Sequence, residues 1–188
     1  MRVAAIIFFS ALLAACAQPP QQQRPTAEAP VEMVAHSMQV AHSPLRPYPN
    51  LDEFLQCVPF ARQVSGIEIY GDAWTWWDKA QGHYDRGNRP EVGAVLALER
   101  TSRMRYGHVG VVAAIQDSRR ILVTHANWGG DSSTRGKVHA RQPVVDVSPN
   151  NDWSEVRLMN TQGTFGAVYP AHGFIYQRPT LADARGQR

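Results

Sequence analysis

The chain has 188 residues, of which 44% are hydrophobic, and a net charge of +3. Its size suits one domain with a single core. The basic residues, among them Arg100, Arg103 and Arg105, form no continuous basic helix. This pattern excludes nucleic acid as an expected partner, whereas it fits attraction to an anionic surface such as a cell-wall polymer.

The first fifteen residues have the layout of an export signal. Arg2 supplies a positive charge, Val3 to Leu13 is an apolar run too short to span a bilayer stably, and small residues precede Cys16. Leu13-Ala14-Ala15-Cys16 resembles the lipobox of bacterial lipoproteins. That resemblance implies a lipid on Cys16 and a membrane-anchored protein facing the periplasm, with no Asp at Ala17 to indicate retention at the inner membrane. The alternative is an ordinary signal peptide (residues 1–15) with an incidental cysteine.

The next segment reads as a tether that follows the lipidated cysteine. Pro and Gln dominate residues 16–50, and no apolar periodicity persists there. Residues 51–179 are the predicted folded domain, and the polar residues 180–188 are a predicted flexible tail.

Pro59 places Cys57 at the beginning of a helix. Proline suits the first turn of a helix, an apolar stripe at helical spacing follows it, and Ser65-Gly66 supplies a stop. The helix is therefore predicted to begin at Cys57 or Val58, where free N–H groups stabilise a thiolate. We interpret Cys57 as a nucleophile. The alternatives are a buried free cysteine and a disulfide with Cys16, which lipidation of Cys16 would prevent.

A second helix is predicted from Ala73 to Ala80, with Asp72 as its N-cap. Trp74 and Trp77 share one face of this helix and are predicted to pack in the core. Trp76 faces elsewhere, and we expect it to border a cleft.

Three strand-like runs come next, at Glu91 to Leu98, His108 to Ile115 and Arg120 to Asn127. The last two form a predicted hairpin. If its loop is centred between Asp117 and Ser118, His108 lies opposite Asn127, and His125 lies diagonally across on the same face. The hairpin would then bring together an imidazole and a carboxamide, the base and the orienting group that a thiol nucleophile needs.

Further strands are predicted at Val138 to Val147, Trp153 to Leu158 and Gly173 to Gln177. Short N-terminal helices packed on an antiparallel sheet of about five or six strands give an α+β fold class.

Three short motifs together resemble the CHAP family of cysteine, histidine-dependent amidohydrolases and peptidases. They are Gln56-Cys57, Gly107-His108-Val109 and Asn127-Trp128-Gly129, within a resemblance that runs from about Gln56 to Tyr176. It implies a papain-like (NlpC-type) fold that cleaves amide bonds in peptidoglycan, as an amidase or a peptide endopeptidase, with no cofactor and no metal.

The resemblance also implies roles for particular residues. Cys57 would be the nucleophile and His108 its base. Many members carry Glu where this chain has His125, so the role of orienting His108 would fall to Asn127. His125 occupies the third-member position, where it would assist a proton transfer, hold substrate or mark a weakened enzyme.

Two further positions complete the predicted site. The amide N–H of Cys57 and the side chain of Gln56 are candidate donors to the oxyanion of the tetrahedral intermediate. Trp128 is a candidate for lining a substrate groove, with packing beside the site as the alternative.

Two other classes of function remain open. One is a catalytically inactive lipoprotein that binds the wall or acts as a scaffold, which the departure at His125 favours. The other is a periplasmic thiol hydrolase or transferase that acts on a non-wall amide, favoured by the lack of a recognisable wall-binding repeat. The histidines His108, His125 and His139 raise the question of zinc, but no HExxH or clustered cysteine motif accompanies them.

Overall fold

The computed structural model describes residues 45–46 and 53–177, which belong to one compact unit. The predicted signal peptide, Cys16, the rest of the predicted tether and the tail lie outside the described residues. No helix in the described ranges combines the length and apolar character needed to cross a bilayer.

The described residues form two short α-helices and seven strands. The helices are α1 (Cys57–Ser65) and α2 (Trp76–Ala80), the latter entered through a 3-10 turn at Ala73–Thr75. The strands are β1 (Asp85–Gly87), β2 (Val95–Leu98), β3 (His108–Asp117), β4 (Arg120–Ala126), β5 (Val138–Asp146), β6 (Glu155–Met159) and β7 (Phe165–Tyr176).

Six of the described strands close an antiparallel barrel. Hydrogen-bonded neighbours follow the order β1-β7-β2-β3-β4-β5-β6, and β6 also pairs with β7. The N-terminal half of β7 pairs with β6 as far as Pro170, and its C-terminal half pairs with β2 from Ala171 onwards. The predicted antiparallel strands and short helices are therefore present, but the predicted sheet of about five or six strands is not open, because it closes into a barrel. The sequence predicts this strand only from Gly173, because a proline such as Pro170 removes a donor from the ladder.

Two apolar clusters hold the domain together. One fills the barrel and includes Val112, Val123, Val144 and Phe174, while the other joins the helices to the outer face of β2, β3 and β7. Helix α1 therefore lies across β3, with its first residue above the beginning of that strand. This packing brings Cys57 to the same end of the barrel as His108.

Helix α1 has the predicted limits. It begins at Cys57 and ends at Ser65, and Gly66 adopts the left-handed conformation (φ 75°), with its N–H donating to the Arg62 carbonyl at 2.9 Å. Glycine suits this position because other residues are strained at positive φ.

The tryptophans of the second helical segment are arranged differently from the prediction. Trp76 is fully buried in the core, whereas Trp74 and Trp77 are only half-buried. The guanidinium of Arg100 stacks on Trp74, and that of Arg86 stacks on Trp77. The buried residues are Ala73, Trp76 and Ala80, which are spaced i, i+3 and i+7, so the core-facing side of this segment is a different face from the one predicted.

The β3–β4 hairpin reaches the predicted pairing by another route. Its turn, Ser118 and Arg119, lies one residue later than predicted, and two register shifts along the hairpin compensate. As a result, Val111 pairs with Thr124, which is the predicted register at the end of the hairpin that carries His108.

Candidate active site

One groove collects most of the residues singled out in the sequence. It has a volume of about 830 Å³ and lies between the first turn of α1, the loop before β3 and the loop after β4. Gln56, Cys57, His108, Asn127 and Trp128 all line it. The sequence-predicted residues therefore meet at one end of the barrel, although they come from distant parts of the chain.

Cys57 occupies the first position of α1 and is half-buried. Burial raises the pKa of its thiol, and the nearby carboxylate of Asp72 adds to the rise. Backbone N–H groups of Val109, Val58 and Cys57 itself act in the opposite direction. The N–H groups predicted to stabilise a thiolate are thus present, but burial outweighs them. The resting side chain is a thiol.

His108 is almost fully buried, with 5% of its surface exposed, and lies next to Val109, whose N–H reaches the Cys57 sulfur. Its Nε2 lies 2.7 Å from Nδ1 of His125. Burial lowers the pKa of His108 well below its usual range, and the proximity of His125 and His139 lowers it further. The His108 imidazole is therefore neutral at neutral pH.

Gly110 lets the two imidazoles approach each other across the hairpin. A Cβ at Gly110 would lie 2.4 Å from Cγ1 of Val123 and 3.2 Å from Cβ of His125. Because the first of these distances is shorter than any real contact, the close pairing of β3 with β4 beside the histidines requires glycine here.

His125 is fully buried at the end of the barrel interior. Its Nε2 lies 2.5 Å from Oε1 of Gln142, and its ring contacts His139 on β5. Burial lowers the pKa of His125 to about 4, against an opposing effect of the Gln142 hydrogen bond. His125 thus lies behind His108, outside the groove lining, and is neutral at neutral pH.

Asn127 does not contact His108 in the way the hairpin register suggested. Its Nδ2 donates to Oε1 of Gln56 at 2.7 Å, and its Oδ1 accepts from the Gly136 N–H at 2.8 Å. Asn127 has a left-handed backbone (φ 61°), so its side chain leaves the alternation of β4. The expectation that its carboxamide orients His108 is corrected, because His125 makes that contact.

Trp128 both lines the groove and packs beside the site. Its ring lies 4.7 Å from that of His108, 5.6 Å from that of His125 and 5.1 Å from that of Tyr169, centroid to centroid. It shields the outer face of the two imidazoles, which helps to explain why both are desolvated.

The rim of the groove is positively charged, a feature that the sequence did not reveal. Arg103, Arg105 and Arg135 line it, and all three are exposed. Within the described part of the chain none of them forms a salt bridge, and Asp72 is the only carboxylate that lines the groove. The scattered spacing of these arginines hides the fact that they converge.

The histidine cluster is not accompanied by further metal-binding side chains. Among residues 45–46 and 53–177, no group of three or more His, Cys, Asp or Glu side chains is placed to hold a metal ion.

Residues 47–127 match the family model described as CHAP domain. This segment of the chain is similar to a CHAP domain. The matched segment contains Cys57, His108, His125 and Asn127, and the resemblance inferred from the sequence motifs is confirmed. CHAP domains are a family of cysteine, histidine-dependent amidohydrolases and peptidases. No curated protein matches the chain.

Proposed function

We propose that this protein is a thiol hydrolase that cleaves amide bonds in peptidoglycan, as an amidase or a peptide endopeptidase, within a papain-like CHAP fold. The observation that carries the proposal is the meeting of Cys57 and His108 in one groove of the CHAP domain. Nε2 of His108 is engaged by His125, which leaves Nδ1 for the thiol.

The first step is attack on the amide carbonyl. His108 Nδ1 takes the thiol proton as the Cys57 sulfur bonds to the carbonyl carbon, so that a neutral pair becomes an imidazolium and a tetrahedral oxyanion. This route suits a site whose thiol pKa is raised and whose imidazole pKa is lowered, because no ion pair has to exist before substrate arrives.

The second step releases the amine. The His108 imidazolium gives its proton to the leaving nitrogen, the C–N bond breaks, and a thioester remains on Cys57. Water then attacks the thioester while His108 takes a proton, and Cys57 leaves as the thiol after receiving that proton.

Gln56 and the Cys57 backbone N–H are the proposed oxyanion donors. Asn127 donates to Oε1 of Gln56, so the amide of Gln56 keeps its NH2 group for another acceptor. The Gly136 N–H in turn fixes the orientation of Asn127. In this proposal Asn127 therefore orients Gln56, which is an oxyanion donor, and does not orient the base His108.

The arginine rim supports a substrate that carries carboxylates. Arg103, Arg105 and Arg135 offer three exposed guanidinium groups around the nucleophile, and guanidinium groups bind carboxylates in a two-pronged fashion. Peptides of the bacterial wall contain free carboxyl groups, which fits this rim.

The direct test is digestion of purified sacculi followed by muropeptide analysis. We expect wild type to release new peptide ends or free stem peptides, and Cys57→Ala to release neither. His83→Ala, which changes an exposed histidine outside the groove, is the matched control and should behave as wild type.

The same experiment separates the competing functions. Binding to sacculi with no product from wild type would favour an inactive wall-binding or scaffolding protein. Neither binding nor product, together with thiol-dependent cleavage of other amides, would favour a hydrolase or transferase on a non-wall amide.

We also propose that Cys16 carries a lipid that anchors the protein to a membrane facing the periplasm. The support is the sequence Leu13-Ala14-Ala15-Cys16 behind an apolar run. Labelling cells with a fatty acid should mark wild type, and Cys16→Ser should remove the label and the protein from the membrane fraction. Equal labelling of both proteins would contradict the anchor.

A further inference from the structure

Gln142 joins the histidine pair to the backbone of another strand. Its side chain is buried on β5. Oε1 lies 2.5 Å from His125 Nε2, and Nε2 donates to the backbone carbonyl of Met159 at the end of β6. A buried chain of hydrogen bonds therefore runs from Met159 through Gln142 and His125 to His108.

We propose that Gln142 is a positioning residue that fixes the tautomers of His125 and His108 and so keeps Nδ1 of His108 free to accept the Cys57 proton. The inference rests on the proposed function in one respect, the role of His108 as base. The tautomers themselves can be tested without any substrate.

The direction of donation along these hydrogen bonds follows from which groups are able to donate a hydrogen. The Met159 carbonyl can only accept, so the Gln142 NH2 group must face it and Oε1 must face His125. His125 Nε2 then carries the hydrogen, and its Nδ1 is an acceptor. His108 Nε2 must donate to that acceptor, which leaves His108 Nδ1 unprotonated while the ring is neutral.

A proton on His125 would reverse this arrangement. A doubly protonated His125 would donate from Nδ1, so His108 Nε2 would have to accept, and the remaining hydrogen of a neutral His108 would move to Nδ1. Burial holds the pKa of His125 at about 4 and prevents this near neutral pH. The other titratable groups nearby are His139, which contacts the His125 ring, and Asp72, whose charge acts on the Cys57 thiol.

A bulge in β5 delivers Gln142 to this position. His139 pairs with His125 and Gln142 pairs with Val123, with a register shift between them. Because His139 and Gln142 are three residues apart, a regular strand would place them on opposite faces. Arg141 has a left-handed backbone (φ 52°) and absorbs the extra residue, so both side chains share the face that carries His125.

The test combines NMR of the imidazole nitrogens with kinetics on the purified full-length protein. In wild type at pH 7 we expect Nε2–H for both His108 and His125. Gln142→Leu should give His108 a mixture of tautomers and lower kcat by about tenfold, the rate equivalent of one buried hydrogen bond, with KM unchanged. Val144→Ala is the matched control, because it removes buried apolar volume from the same strand and deletes no side-chain hydrogen bond.

Gln142→Glu provides a second variant that distinguishes orientation from packing. One carboxyl oxygen there still accepts from His125 Nε2–H, and the other must carry a proton to donate to the Met159 carbonyl, so the Nε2–H tautomers of both histidines and the wild-type kcat should persist. The proposal is overturned if His108 in wild type carries its hydrogen on Nδ1. It is also overturned if Gln142→Leu leaves both tautomers unchanged and alters only stability, which is the result expected for Val144→Ala. If wild type hydrolyses no amide, the proposed function fails, and the tautomer result still decides the role of Gln142.

Discussion

Acid should destabilise this domain through its buried histidines. His125 is fully buried, and its pKa falls from an ordinary value of 6.5 to about 4 in the folded protein. Between these two values the unfolded chain binds a proton that the folded chain does not bind. The free energy of unfolding is therefore not reduced by His125 above about pH 6.5, and it decreases as the pH falls from 6.5 towards 4.

The size of the effect follows from this gap. It spans about 2.5 pH units, and each unit is worth about 1.36 kcal/mol, so His125 alone accounts for at most about 3 kcal/mol of the free energy of unfolding. His108 acts in the same direction, because burial also lowers its pKa. A loss of this size is a large share of the stability of an ordinary domain.

Urea unfolding followed by tryptophan fluorescence, at intervals from pH 7 to pH 4, measures this loss. His125→Gln should reduce the pH dependence by about one proton, since glutamine can accept from His108 and donate to Gln142 but does not titrate. His83→Gln, at an exposed position, should leave the dependence unchanged. Comparing variants also removes the contribution of the carboxylates. An equal pH dependence in wild type and His125→Gln would show that burial of His125 does not cause the acid sensitivity.

Three further predictions concern the hairpin and the nucleophile. Gly110→Ala should lower the free energy of unfolding, measured in urea, by about 1–3 kcal/mol through overpacking. Gly130→Ala is the control and should have little effect, because its Cβ would meet nothing within 4 Å. Equal effects of the two variants would contradict the tight approach at Gly110. The value of kcat/KM should rise with the deprotonation of His108 at a pH well below 6.5 and stay level through neutrality, and an acid limb at or above 6.5 would count against a neutral imidazole. Alkylation of Cys57 by iodoacetamide should accelerate through a midpoint above the ordinary value of about 8.5, and a midpoint below 7 would reveal a preformed thiolate.

Local sequence signals were sufficient where the chain's own backbone determines the structure. Pro59 and Gly66 mark the two ends of α1 and so place Cys57 at its beginning. The predicted register of the hairpin next to His108 is also correct, although the turn is one residue further along. The observed pairing agrees with the predicted one because two register shifts along the hairpin compensate for the later turn. No residue pattern in β3 or β4 indicates these shifts.

Features that depend on contacts between segments distant in sequence could not be predicted from the sequence. Pro170 interrupts the pattern of β7, so the strand that closes the barrel could not be recognised as one element. The relation of Gln142 to His125 depends on the bulge at Arg141, which breaks the alternation used to assign faces. Similarly, the helix start at Cys57 indicates a stabilised thiolate, and only the packing around the thiol shows that burial has the larger effect.

The role of Cys57 as the nucleophile is tested most directly by looking for the acyl group on its sulfur. Wild-type protein would be mixed with soluble wall-derived muropeptides, quenched in acid during turnover, and analysed by intact mass and peptide mapping. We expect an added mass equal to the acyl part of the substrate, located on the peptide that contains Cys57 and lost in Cys57→Ala together with all product. Product formed at an equal rate by Cys57→Ala, or an adduct on another residue, would contradict it.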